Sequence, residues 1–129
     1  MLRIAIRKTV RGRSPRVPFE KIARAVLPRG YQLSLVLCGD TLARTINIKY
    51  RKKKYAPNVL SFELDANEGE IFLNLHVAAR EAKKLSVKYE SRIALLFVHG
   101  LYHLLGFDHG KAMTSKERVT LRRFGYDVD

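Results

Sequence analysis

The chain has 129 residues, 47% of them hydrophobic, which suits one domain with a single core and excludes a disordered chain. Lys and Arg number 25 against 12 Asp and Glu, so the formal net charge is +13 and the pI is near 10.2. This excess predicts a polyanionic partner, with nucleic acid as the first candidate. The alternative is a basic surface that is merely solvated, and an excess of this size makes it the weaker interpretation.

The same composition predicts a cytoplasmic protein without membrane association. No apolar run approaches the ~18 residues of a transmembrane helix. Met1–Lys8 contains two arginines and lacks the apolar core of a signal peptide. Cys38 is the single cysteine, which excludes an intrachain disulfide, and its apolar neighbours predict a core position. Nothing in the sequence indicates an oligomeric state.

The first half of the chain predicts strands and helices in alternation, from apolar periodicity and turn residues. Pro28–Gly30 ends the first helix, and Asp40 or Thr41 caps the second. The predicted strands are 2–7 and 31–37, and the predicted helices are 19–27 and 40–50.

The second half predicts a hairpin followed by three helices. The strands are 59–64 and 70–73, joined by the turn-rich segment 65–69. The helices are 74 or 75–85, 88–105 and 115–124. Thr114 or Ser115 is the expected cap of the last helix, with Glu117 in its first turn. We therefore expect one α+β domain spanning residues 1–129, with about four strands in a mixed sheet and about five helices.

Three of the four histidines fall within eleven residues. His99 and His103 are four apart, so a helix presents them from the same face. Such a pair alone is usually two ordinary histidines, but Gly106 can turn the chain and return His109 to the same point. Three imidazoles with an open fourth position are typical of a catalytic zinc site, here placed on a C-terminal helix and the loop after it. Histidine ligands also bind nickel, copper or iron.

The residues around this cluster restrict the chemistry. The metalloprotease pattern H-E-x-x-H has its general base directly after the first histidine, where this chain has Gly100. Peptide hydrolysis is thus disfavoured, and the nucleophile or base must come from the metal's water or the substrate. Asp108 is a candidate to orient a histidine, to cap the turn, or to act as a base. His76 is interpreted as a non-ligand.

The densest basic segment is a candidate RNA-binding surface, with a solvated helix end as the alternative. Arg51 stands apart there because a guanidinium grips a phosphate at two points. Candidate stacking residues for bases are Tyr50, Tyr55 and Tyr102. The candidate RNA-binding residues are Lys49, Arg51, Lys52, Lys53 and Lys54.

These motifs together resemble the YbeY family of bacterial rRNA maturation factors, which are metal-dependent single-strand endoribonucleases. The family pattern H-G-x-x-H-L-x-G-[YF]-D-H matches 99–109 at every fixed position. The segments 46–51 and 55–62 are similar to two further family blocks, and 69–71 is similar to a strand start of the family.

The resemblance implies one Zn²⁺ per chain, held by His99, His103 and His109, with Arg51 beside it as a catalytic contact to the RNA phosphate. It further implies action on single-stranded RNA at the 3′ end of small-subunit rRNA, with the ribosomal small subunit as partner, and a role in ribosome quality control. Two alternatives stay open: a non-catalytic ribosome-assembly factor whose metal fixes the fold, and a hydrolase of another substrate such as a peptide.

Overall fold

Four strands form one mixed sheet in the order β1-β2-β4-β3. The computed structural model describes residues 2–127, so positions 1, 128 and 129 of the expected domain lie outside the described residues. β1, β2 and β4 are mutually parallel, and β3 runs antiparallel to β4, which makes β1 and β3 the edge strands. The strands are β1 (Arg3–Lys8), β2 (Gln32–Cys38), β3 (Val59–Asp65) and β4 (Glu68–Asn74).

Within residues 2–127 the sheet is accompanied by five helices, and none of them is both long and apolar enough to span a membrane. α1 connects the parallel strands β1 and β2, α2 connects β2 to β3, and the last three helices follow β4. The helices are α1 (Phe19–Val26), α2 (Asp40–Arg51), α3 (Leu75–Leu85), α4 (Tyr89–Leu104) and α5 (Lys111–Arg123).

The two faces of the sheet are covered unequally, because successive strand residues point to opposite sides. α1, α3, α4 and α5 enclose the main core on one side, where Leu35, Ile71 and Phe97 are fully buried. α2 covers part of the other side, where Val36 and Phe72 belong to a smaller cluster. α4 is therefore central to the main core, and its C-terminal end lies beside the edge strand β3.

Cys38 lies in the smaller cluster, which confirms the predicted core position. Burial raises the pKa of its thiol to about 11, so the sulfur is protonated at neutral pH. A buried, protonated thiol is neither a metal ligand nor a nucleophile.

The predicted α+β fold, with its four strands and five helices, is confirmed, but three local predictions were wrong. The N-cap of α2 is Gly39 rather than Asp40 or Thr41, and no side chain caps that helix. The hairpin turns through Ala66 and Asn67 alone, because the strands pair out to Asp65 and Glu68. The last helix begins at Lys111 rather than at residue 115. No side chain caps its first turn, so the sequence carries no start signal there.

Candidate metal centre and catalytic cleft

The end of α4 brings the three histidines together through a Schellman turn. Gly106 has φ of +89°, its N–H donates to the carbonyl of His103, and the Phe107 N–H donates to that of Tyr102. The rings of Tyr102 and Phe107 pack edge to face with centroids 5.6 Å apart, which is the apolar contact typical of this motif. The chain therefore reverses directly after the helix and returns His109 to His103, as predicted from the glycine.

The ligand atoms of the three imidazoles suit a single metal ion. One nitrogen from each of His99, His103 and His109 lies within 4.8 Å of the others, and the Nε2 atoms of His99 and His103 are 3.0 Å apart. Tetrahedral zinc with Zn–N bonds of about 2.05 Å separates its ligand nitrogens by about 3.3 Å. The donor set and its spacing therefore fit zinc after small side-chain rotations.

The surroundings of His103 favour its neutral imidazole. Burial, followed by the neighbouring rings of His99 and His109, lowers the pKa of His103. A neutral ring offers the lone pair that a metal needs, so proton competition at His103 is weak near neutral pH.

Glu117 is hydrogen-bonded to the three-histidine group, and no sequence motif indicated this contact. Nδ1 of His99 donates to Oε2 of Glu117 at 2.6 Å, and only 10% of the Glu117 side chain is exposed. A proton held on Nδ1 leaves the Nε2 lone pair of His99 directed at His103. Glu117 was expected in the first turn of its helix, but the earlier start of α5 places it in the second turn, facing α4.

Substituting Glu117 tests this hydrogen bond. Glu117→Ala is expected to weaken zinc affinity by about 10- to 100-fold, because His99 loses the acceptor that fixes its tautomer and ring orientation. Glu117→Gln keeps an acceptor oxygen at the same reach and should lose less. Competition with a chromophoric chelator measures both affinities, and melting of the metal-free proteins checks their folding. Equal zinc affinity in wild type and Glu117→Ala would remove Glu117 from the metal centre.

Gly100 occupies the helix position that carries the general base in metalloproteases. A Cβ atom there would lie 3.0 Å from Ser61 Oγ and 3.2 Å from Ile71 Cδ1, tighter than ordinary van der Waals contact. Ser61 Oγ also donates to the Gly100 carbonyl at 3.0 Å. The glycine therefore lets α4 approach β3 and β4 closely, and a larger residue would require Ser61 or Ile71 to move.

Arg51 lies at the end of α2 and is held against β3 by two contacts. Its Nη2 donates to the carbonyl of Ser61 at 3.0 Å, and its guanidinium carbon lies 5.0 Å from the centroid of the Phe62 ring. A guanidinium has five N–H donors, so further donors remain for a phosphate. Because Ser61 also bonds to Gly100, one residue of β3 connects Arg51 to the helix that carries the histidines.

A cleft of about 420 Å³ is lined both by Arg51 and by two of the three histidines. We call this space the catalytic cleft, after the role proposed for it below. It lies between the C-terminal end of α2, the loop after it, β3 and the end of α4. Its lining includes Arg51, Lys53, Tyr55, His103 and His109. Residues from the middle of the chain and from its C-terminal third thus line one space, which contains two cations, the carboxylate of Glu63 and two candidate metal ligands.

Comparisons with known proteins assign the chain to a family. The family model described as Endoribonuclease YbeY matches residues 15–125. The chain belongs to the YbeY family. This membership confirms the resemblance seen in the sequence, and the match extends into the basic N-terminal third, where the motifs had not reached.

Individual YbeY proteins are similar over most of the chain. "Endoribonuclease YbeY" of Helicobacter pylori strain Shi470 is 44% identical over 96 residues, which cover 71% of this chain and 68% of the relative. The protein of the same name from Methylobacillus flagellatus is 38% identical over 116 residues, covering 84% and 78%. The solution structure of TM1509 from Thermotoga maritima has a TM-score of 0.67 at 20% identity, covering 95% of this chain and 87% of that one, and supports the fold.

The remaining residues singled out in the sequence lie at different distances from the catalytic cleft. Lys53 lines the catalytic cleft, whereas Lys52 ends α2 in the left-handed conformation, and Lys49 lies over the Tyr50 ring. Asp108, a candidate to orient a histidine, is exposed. Among residues 2–127 the hydrogen bond to His99 Nδ1 is made by Glu117 instead. The fourth histidine is exposed at the start of α3 and lies outside the three-histidine group. Lys54 is exposed in the loop after α2.

Proposed function

We propose that this chain is a zinc-dependent endoribonuclease that cleaves single-stranded RNA during maturation of the 3′ end of small-subunit rRNA and in ribosome quality control. The observation that carries the proposal is the catalytic cleft, whose lining Arg51 shares with His103 and His109. Membership of a family described as Endoribonuclease YbeY supports a hydrolase acting on RNA in rRNA processing. The net charge of +13 supports a polyanionic substrate.

Each residue of the cleft has a part in this proposal. His99, His103 and His109 would hold the ion, and Glu117 keeps the His99 ring oriented. When bound, zinc supplies Lewis-acid polarisation of a phosphodiester oxygen and lowers the pKa of a water toward ~7. Arg51 donates to a nonbridging phosphate oxygen, which positions the phosphodiester and stabilises the charge that develops on it. Its bond to Ser61 fixes the guanidinium beforehand, so little reorganisation is needed during the reaction.

The lysines after α2 are expected to hold the RNA backbone. Replacing Lys52, Lys53 and Lys54 together by alanine should weaken binding of a single-stranded oligonucleotide. The slope of log affinity against log salt should fall by about 0.7 for each phosphate that the variant no longer neutralises. The matched control replaces Lys83, Lys84 and Lys88, which are also exposed, change the net charge equally and do not line the cleft.

Fluorescence anisotropy at a series of salt concentrations measures both triple variants. We expect a reduced salt slope for the first triple variant and a near-native slope for the control. Equal losses in both would assign RNA binding to overall charge rather than to the segment beside the cleft.

Metal removal and restoration test the enzymatic proposal. Chelated protein should lose cleavage of a labelled single-stranded RNA, and stoichiometric zinc should restore it. A small-subunit precursor with an unprocessed 3′ end is the second substrate, because mapping its cut ends tests the site of action. Undiminished cleavage by metal-free protein would contradict the metal-dependent proposal, and cuts only outside the 3′ region would contradict the assigned role in maturation.

A further inference from the structure

Tyr55 presents an exposed aromatic ring inside the catalytic cleft. Tyr55 is 58% exposed and lines the same space as Arg51 and His109. Within residues 2–127 no aromatic ring or cation stacks on it. A large ring that adds nothing to either core and stands beside candidate metal ligands is available for a ligand.

The rings of the other two candidate stacking tyrosines, Tyr102 and Tyr50, pack against other residues of the protein. The Tyr102 hydroxyl is hydrogen-bonded to Thr120 Oγ1 at 2.6 Å, and its ring packs on Phe107. Tyr50 is 56% exposed, but its ring packs edge to face on Phe62, whose side chain packs against the smaller cluster on the other side of the sheet. Tyr50 therefore matches Tyr55 in residue type and exposure but lies outside the catalytic cleft.

The backbone around Tyr55 is anchored by two buried asparagines. Nδ2 of Asn47 donates to the Tyr55 carbonyl at 2.9 Å, and Nδ2 of Asn74 donates to the Pro57 carbonyl at 3.1 Å. The asparagine residues are 1% and 0% exposed, and the bond to Pro57 is buried, which shelters it from water. A fixed backbone under an exposed ring lowers the entropy cost of ordering that ring against a ligand.

We propose that Tyr55 is a stacking subsite for the nucleobase next to the phosphate held by Arg51. Aromatic rings accept any base, because every base has a π face, so this subsite contributes affinity and register without selecting a sequence. Lys53 in the same lining provides a cation for the backbone of the stacked nucleotide. This subsite rests on the proposed function, since it assumes that the polyanion in the cleft is a single-stranded nucleic acid.

Abasic oligonucleotides separate base stacking from phosphate binding. The probe is a fluorescein-labelled 2′-O-methyl decauridylate, compared with a decamer of the same sugar chemistry that lacks all bases. Wild type should bind the complete decamer roughly tenfold more tightly than the abasic one. Tyr55→Ala should bind both with the lower affinity, Tyr55→Phe should behave as wild type, and Tyr50→Ala is the matched control that should also behave as wild type.

The subsite and the proposed function can fail separately in this experiment. If wild type does not distinguish the two decamers, or if Tyr55→Ala still does, the stacking subsite is refuted. An equal loss in Tyr50→Ala would also refute it, because stacking would not then belong to the cleft. Binding is measured without cleavage, so intact stacking in a protein that cleaves no RNA would overturn the enzymatic proposal alone. Melting curves confirm folding, which substitutions at exposed positions should leave intact.

Discussion

Replacing His103 by alanine is expected to abolish high-affinity zinc binding and RNA cleavage together. His103 is a member of the three-histidine group, with its Nε2 3.0 Å from that of His99 and its ring centroid 4.9 Å from that of His109. Two remaining imidazoles leave the ion without the three-ligand set of a catalytic site. We expect zinc affinity to fall by at least ~100-fold and cleavage to fall below detection.

The control for this variant is His76→Ala, which removes an exposed histidine outside the metal group. Zinc content by mass spectrometry under native conditions and cleavage of a labelled RNA measure the two effects. His76→Ala should retain one zinc and full activity. A His103→Ala protein that keeps both zinc and cleavage would show that the ion is held elsewhere.

Replacing Arg51 by alanine is expected to remove activity while leaving the metal in place. The guanidinium contacts Ser61 and Phe62 rather than a histidine, so zinc affinity should be unchanged. Loss of one preorganised donor to a developing charge costs about 10²- to 10³-fold in kcat. Arg51→Lys should recover only part of this, because an ammonium lacks the planar fork that engages two oxygens.

Arg44→Ala is the matched control, since Arg44 is an exposed arginine of the same helix that does not line the cleft. Single-turnover cleavage compares the four proteins, and RNA affinity is measured in parallel. Equal rates for Arg51→Ala and wild type would separate Arg51 from the reaction. An equal loss in Arg44→Ala would attribute the effect to general charge.

The parts of the site that follow from local spacing could be predicted from the sequence. The i, i+4 spacing puts His99 and His103 on one helix face, and Gly106 supplies the positive φ that reverses the chain. Both effects act within a few residues of chain, where periodicity and backbone sterics are decisive. The order of strands and helices was likewise predicted, because each element carries its own apolar pattern.

The parts that depend on packing between distant segments could not be predicted in this way. Glu117 meets His99 across 18 positions, and the α5 start that aims it there has no side-chain cap. The bond from Arg51 to Ser61 depends on α2 lying beside an edge strand, which no local pattern specifies. Gly100 was interpreted chemically, as a missing base, whereas the structure adds a steric role against Ile71.

The decisive experiment for a metal-dependent nuclease is cleavage of a labelled single-stranded RNA by highly purified, zinc-loaded protein, run beside Arg51→Ala and His103→Ala. We predict cleavage by wild type that both variants lose, with zinc retained by Arg51→Ala and lost by His103→Ala. Equal cleavage by all three proteins would contradict a reaction at the three histidines and reveal a contaminating nuclease. No cleavage by wild type, with tight and salt-sensitive RNA binding intact, would contradict it in favour of a non-catalytic assembly factor.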